Sequence, residues 1–232
     1  MDQHNRQQFL ERLANKLGRP MRTEAVGSYP HINDYPTTRL TDLSFEERYQ
    51  KFVQTANDLT VDCVTTKPEQ VSTTILELCQ KYGEGDVILN DDERLQQYGI
   101  TNTVCEKYPH RVWSSTTAEE DRHFAANANI GIVFAEYGLT ESGGVVLFSS
   151  PHNGRSVSLL PPVSIIVLRK STILPRVAQL AKILDEKAQQ GERMPSCINI
   201  ISGPSATADI ELVKVIGVHG PVKQVYLIID DL

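Results

Sequence analysis

The chain has 232 residues, of which 40% are hydrophobic and 22% charged, the make-up of an ordinary globular protein with length for one large domain or two small ones. Its net charge of −6 argues against nucleic acid or an anionic membrane as the main partner. It holds no apolar run of 18 residues, so no membrane span is expected. The stretch Met1 to Arg6 lacks the basic start and apolar core of a signal peptide, and a cytoplasmic location is expected.

The first helix is predicted over 2–17, where Phe9, Leu10, Leu13 and Leu17 recur at helical spacing between charges. Gly18 and Pro20 end it. Residues 18–41 are rich in Pro, Gly, Thr and Tyr, show no period, and read as an irregular tether. The chain therefore divides into 1–41, a helix with its tether, and 42–232, a single α/β domain. A helix on such a tether can pack on a partner subunit or on its own domain.

Ser44 to Glu47 spells a capping box, with a helix to about Leu59. Thr60 to Thr65 alternates as a strand. Pro68 opens a helix to about Tyr82, closed by Gly83 and Gly85. Asp86 to Asn90 is a short buried strand, and Asp91, Asp92 and Glu93 start an acidic helix. Val112 to Ser115 reads as a strand, with Thr116 or Thr117 capping a helix over 118–128.

Strands follow at Ile130–Ala135, Val145–Phe148 and Val163–Leu168, too close in sequence for helical crossovers throughout, so part of this region is expected to be antiparallel hairpin. A long helix is predicted from Thr172 to Gln190. The run 198–201 leads into the most chemically dense stretch, Ser202 to Pro221, and Val225–Ile229 closes the chain. That stretch reads as polar turn, short helix, then a Gly-His-Gly-Pro turn, placed where ligands sit outside the carboxyl ends of α/β strands. Alternating strands and helices predict an α/β fold, a three-layer αβα arrangement with a mainly parallel sheet.

Three constellations could carry chemistry. Glu136, Gly138, Thr140 and Glu141 lie in a glycine-rich turn after a central strand, where amides approach ligands closely and carboxylates serve as nucleophile or base. A glycine-rich hairpin with solvated carboxylates is the bland alternative. Arg155, in a short polar loop before Val163, can grip a carboxylate or pair structurally with Glu136 or Glu141. In the third, Ser205 or Thr207 caps a helix whose first turns hold Asp209 and Glu211. Those carboxylates repel a phosphate and favour a hydroxyl, an amide or a cation. His219 can act as acid, base or neutral hydrogen bonder, or be structural.

No nucleotide-binding glycine motif, repeated histidine spacing or C-x-x-C pair is present. Cys63, Cys79, Cys105 and Cys197 read as reduced, mostly buried thiols. No metal and no cofactor are expected.

Gly203-Pro-Ser-Ala-Thr-Ala-Asp-Ile-Glu211, followed by Gly217-Val-His-Gly-Pro221, resembles the carboxyl-terminal signature of the bacterial LUD-domain family, in its lactate utilisation protein C group. The Glu136–Thr140 turn and Arg155-x-x-Ser158-Leu-Leu-Pro161 resemble its earlier segments, in order. At Val163-Ser164 the chain lacks a histidine that related proteins often carry. The resemblance implies a fold like the glucosamine-phosphate deaminase, ribose-phosphate isomerase and CoA-transferase group. It also implies a part in oxidising L-lactate to pyruvate beside sibling proteins that carry iron–sulfur clusters.

Three functions compete. One is a non-redox component of that system, which docks on its siblings. The second is an enzyme by analogy with the fold group, with Glu136, Glu141 and His219 catalytic, and Gly138, Thr140, Arg155, Ser205, Thr207 and Asp209 holding a small carboxylate or other ligand. The third is a sensor using the same pocket without turnover. The last two need these residues to converge on one cleft.

Overall fold

A computed structural model describes residues 3–24, 27, 29–30, 32–208 and 213–232. The chain forms two compact units, Met1–Asp34 and Tyr35–Leu232. The first carries helix α1 (Gln3–Lys16), on which Ala14 is buried and Phe9, Leu13 and Leu17 are exposed.

The second unit opens with a short helix, α2 (Tyr35–Thr38), inside the stretch whose sequence shows no period. Helix α3 (Phe45–Asp58) starts at the predicted capping box: Ser44 Oγ accepts from the Glu47 amide, and the Glu47 carboxylate accepts from the Ser44 amide. Strand β1 (Asp62–Thr66) and helix α4 (Val71–Lys81) follow, then β2 (Val87–Leu89), α5 (Glu93–Gln97) and α6 (Ile100–Lys107). Next come β3 (His110–Val112), α7 (Ala118–Asn127) and β4 (Ile130–Phe134). The hairpin β5 (Tyr137–Leu139) and β6 (Gly144–Phe148) leads to α8 (Arg155–Leu159) and β7 (Val163–Arg169). The chain closes with β8 (Ile173–Leu174), α9 (Val177–Gln189), β9 (Ile198–Ile201), β10 (Ala206–Thr207), β11 (Val215–Ile216) and β12 (Lys223–Ile229).

Six strands form one parallel sheet in the order β1-β12-β7-β4-β2-β3. β4, β7 and β12 are buried on both faces, which is why their sequences are nearly continuous apolar runs. The chain first steps one way along the sheet, β1 to β2 to β3. On these steps α4, α5 and α6 pack on one face with Val71, Ile75, Leu95, Ile100 and Val104. It then steps back through β4, β7 and β12, and α3, α7 and α8 cover the other face, where Phe52, Ala125 and Val157 meet Ile166 and Tyr226. Opposite directions put helices on opposite faces, as a constant crossover hand requires. A small sheet, β8-β5-β6-β9, joins this second layer. Val145 and Leu147 of β6 face the main core, and Val146 faces α9 through Leu180. The result is the expected three-layer α/β arrangement, with β5–β6 supplying the expected antiparallel hairpin.

Four local readings change. Residues 206–207 and 215–216 pair as antiparallel strands, so no helix opens at Ser205, and the turns of a helix capped by Thr207 lie outside the described residues. Asp209 and Glu211 lie outside the described residues. Residues 155–159 are helical, because Gly154 packs against the Trp113 ring (a Cβ there would lie 2.3 Å from it) and holds the chain over the sheet. The long helix starts at Val177 and not at Thr172, because Ile173 and Leu174 pair with β5 and Pro175 interrupts. Thr117 is not a side-chain cap for α7: its Oγ1 donates to Asp121 Oδ2 (3.0 Å).

Candidate functional site

β2 and β4 are neighbours whose chains leave the sheet toward opposite faces, β2 into α5 and β4 into β5. The crevice outside their carboxyl ends is a topological switch point, where ligands of open α/β sheets bind. It has a volume of about 520 Å³ and is lined by Asp91, Asp92, Arg94, Ser150, His152 and Asn153 among others.

The chemistry there centres on Arg94. Asp92 caps α5, its Oδ1 accepting from the Arg94 amide at 2.9 Å. The Arg94 guanidinium then reaches two carboxylates. It gives Nη2 to Asp92 Oδ2 (2.7 Å), and Nη1 and Nη2 to Glu136 Oε2 and Oε1 (2.9 and 2.6 Å). Its carbon lies 4.5 Å over the Phe134 ring, which stacks on Tyr98. Burial by itself would lower the Arg94 pKa, but the hydrogen bonds and charges of Asp92 and Glu136 outweigh it and raise it further above the usual range. Glu136 therefore closes an ion-pair triad that ties the β2–α5 turn to the β4–β5 turn.

The other wall is the loop after β6. His152 Nδ1 sits 2.8 Å from Asp91 Oδ2, and the Asp91 amide donates to His152 O (3.0 Å). Asn90 Oδ1 accepts from the Gly154 amide (3.0 Å), and Trp113 Nε1 donates to Pro151 O (3.1 Å). These bonds fix α8 against the carboxyl end of β2. Arg155 follows directly and is exposed, and its guanidinium has no ion pair or hydrogen bond among the described residues. The crevice itself is lined by Asp91, Asp92 and Glu93 and by an arginine already shared, a set that repels a carboxylate, and Arg155 is not among its lining residues.

The remaining predicted residues do not gather here. Glu141 lies past the far end of β5, where Arg176 Nε donates to Oε2 (2.6 Å) and Arg39 lies 3.5 Å away. Arg176 Nη1 also donates to Tyr35 O (2.6 Å), so Glu141 holds α2 and α9 together. Gly138 is a packing glycine: a Cβ would meet Ile173, Leu168 and Phe52 at 3.1–3.2 Å. Thr140 is fully buried and donates to Arg48 O (3.4 Å).

Ser205 and His219 do meet. The His219 amide donates to Ser205 Oγ (3.3 Å), and both line a pocket of about 120 Å³ with Ser158, Gly203, Pro221 and Gln224. Thr207 is two residues on, in β10. This pocket precedes β12 and so lies at the amino ends of the parallel strands, not at the carboxyl ends where the sequence places it. β7 and β12 pair from Val163↔Lys223 to Arg169↔Ile229. β4, whose carboxyl end borders the crevice, pairs with β7 from Ile130↔Val163 to Phe134↔Val167, which at ~3.3 Å per residue is about 13 Å of strand. Glu136 and His219 thus stand at opposite ends of the sheet and do not form one cleft.

Sequence reading passed over Arg94, His152 and Gln224. The signal for Arg94 was its place after a buried strand, in Asp91-Asp-Glu-Arg94. For Gln224 it was a polar residue opening an apolar strand. Among the described residues no three His, Cys, Asp or Glu side chains group as a metal ligand set. Burial pushes the Cys63 and Cys79 thiols up to about 12, which keeps them protonated and unreactive.

The fold and the signature together define a LUD-type α/β protein. The LUD domain pattern matches residues 49–229, and the chain belongs to the LUD domain family. It is 51% identical over 228 residues to the protein YkgG of Escherichia coli, covering 98% of this chain and 99% of that one. It is 38% identical over 234 residues to lactate utilization protein C of Geobacillus sp., and 37% over 234 residues to that of Bacillus subtilis, each time covering 98% of this chain and 97% of the relative. A crystal structure of a duf162 family protein from Deinococcus radiodurans superposes with a TM-score of 0.58 at 16% identity, over 81% of this chain and 99% of that one. That likeness is one of fold.

Proposed function

We propose that the chain is a component of a bacterial L-lactate utilisation system, which oxidises lactate to pyruvate, and that it works in the cytoplasm beside sibling proteins that carry the iron–sulfur clusters. The observation that carries this is the near-full-length match to proteins named lactate utilization protein C. In this reading electron transfer belongs to the siblings. The half-buried Cys63 and buried Cys79, both protonated, and the separation of all four cysteines fit that division, since thiolates are the sulfur ligands metals take. Among the described residues no helix is long and apolar enough to cross a membrane. Arg155, beside the switch-point crevice, is the group we assign to a small carboxylate ligand.

Deleting the gene tests the reading. Growth on L-lactate is expected to stop while growth on pyruvate continues. Affinity purification of the chain under reducing, anaerobic conditions is expected to bring down the siblings. Unimpaired growth on lactate would end the proposal. The Arg155→Ala variant is expected to slow lactate-dependent growth at an unchanged unfolding midpoint.

A further inference from the structure

The pocket at the amino ends of β7 and β12 contains a feature that the folded chain does not use. Gln224 is 2% exposed, lines the pocket, and its Oε1 has no hydrogen-bond partner. Buried polar atoms in native proteins are almost always paired, and an unpaired one is costly to keep. Its neighbour in register on β7, Ser164, is fully buried with an equally partnerless Oγ.

We propose that this pocket binds a small uncharged ligand through an amide-type edge, an N–H donor beside a carbonyl acceptor, held by Gln224. The space of about 120 Å³ equals about four waters at ~30 Å³ each, room for one small ring. Among the described residues its lining includes no Lys, Arg, Asp or Glu, and the one titratable side chain there, His219, is exposed. An anion stripped of water there would have no cation to meet it, so a neutral ligand fits and lactate does not.

The polar groups present are complementary to an amide edge. Gln224 Oε1 accepts. Ser205 Oγ already accepts from the His219 amide, which leaves its own hydrogen to donate. Ser158 Oγ donates to Arg155 O (3.2 Å), which leaves its lone pairs to accept. Leu159, Pro204 and Pro221 give apolar walls for the faces of a flat ring. The loop is held in place before any ligand arrives. The Ser205 amide donates to Pro221 O (3.0 Å) and the Gly217 amide to Ser205 O (2.8 Å), with Gly203 and Gly217 at positive φ.

The inference stands apart from the lactate reading. Its test uses the full chain, with nicotinamide and uracil as probes of an exocyclic and a ring amide edge, and L-lactate as the charged comparison. Saturation-transfer NMR reads binding and thermal unfolding reads the fold. At least one amide probe is expected to bind the native chain. Gln224→Met is expected to weaken that binding by about tenfold or more. Because the amide has no partner to lose, the same variant is expected to keep or raise the unfolding midpoint. Ser205→Ala is expected to weaken binding while lowering the midpoint by no more than the loss of one partly exposed hydrogen bond, that from the His219 amide. The proposal fails if neither amide probe binds, or if lactate binds and is lost in Gln224→Met. It also fails if Gln224→Met and Ser164→Ala both lower the midpoint, because the two side chains would then be satisfying each other.

Discussion

The two ends of the parallel sheet solve the problem of buried polarity in opposite ways. At the carboxyl end, charged groups are many, and around Arg94 they are matched. Arg94 takes Asp92 and Glu136, Asp91 meets His152, and Asn90 holds the Gly154 amide. Asn153 Oδ1 and, at the end of β7, Arg169 Nε are unpaired atoms on that side, on residues that are only partly buried. In the pocket at the amino end the described polar groups are few and uncharged, and Gln224 and Ser164 keep atoms without partners deep in the sheet. The switch-point rule points to the first end. Hydrogen-bond accounting points to the second. A site whose charges satisfy one another is set up to hold elements together, and a buried amide with nothing to bond is set up to receive something.

The largest expected effect sharpens this contrast at the amino end. Gly131 is in register with Ser164, on the sheet face that α8 covers, and a Cβ there would sit 1.8 Å from Val157 O. Gly131→Ala has to push α8 off the sheet, at a cost of about 4 kcal/mol. Chemical denaturation is expected to show near loss of the fold. A well-folded variant would mean that α8 does not press on the sheet there.

At the carboxyl end, Arg94→Met leaves Asp92, 5% exposed at its side chain, and Glu136, 26%, without their cation. About 3 kcal/mol of stability is expected to go. Adding Glu136→Gln is expected to restore part of it, since the second change removes the stranded charge. Strict additivity in that double-mutant cycle would show that the triad is not coupled.

Away from both ends, Ser44→Ala removes one half of the α3 capping box and is expected to cost about 1 kcal/mol. This sets the scale for an ordinary local bond.

The smallest effect concerns pH. Burial would raise the Asp62 pKa, but the hydrogen bonds from Tyr82 and Lys223 and the charges of Lys223 and Lys81 outweigh it, so it lies below its ordinary 3.8. A depressed carboxylate gives stability that is present above its unfolded pKa and lost as pH falls through the folded value. Asp62→Asn is therefore expected to lower the unfolding midpoint slightly at pH 7, with the difference shrinking once pH falls below the ordinary 3.8 and through the lower folded value. A difference that persists at acid pH would assign the effect to the Tyr82 hydrogen bond, and not to charge.

What the sequence made legible followed from local physics. The capping box at Ser44 and the apolar runs of β4, β7 and β12 are each readable within a few residues, and so is the family signature. What stayed hidden depends on partners far along the chain. Arg94 and Glu136 lie 42 residues apart and meet only because β2 and β4 are neighbours. Helix α6 was missed because Thr101, Thr103 and Val104 favour strands; Gly99, with φ 72°, starts it. The stretch after Ser202 looked helical because carboxylates follow hydroxyls there, yet Ala206 pairs with Ile216 ten residues on. Its place at the amino ends follows from sheet order, which no local pattern encodes.

Thermal unfolding of Arg94→Met and Gln224→Met side by side tests the contrast most directly. Arg94→Met is expected to lose ~6–12 °C, since about 1 kcal/mol shifts a chain of this size by ~2–4 °C. Gln224→Met is expected to hold the native midpoint or exceed it. A fall in Gln224→Met that matches the fall in Arg94→Met would contradict the account, because both ends of the sheet would then be holding the fold.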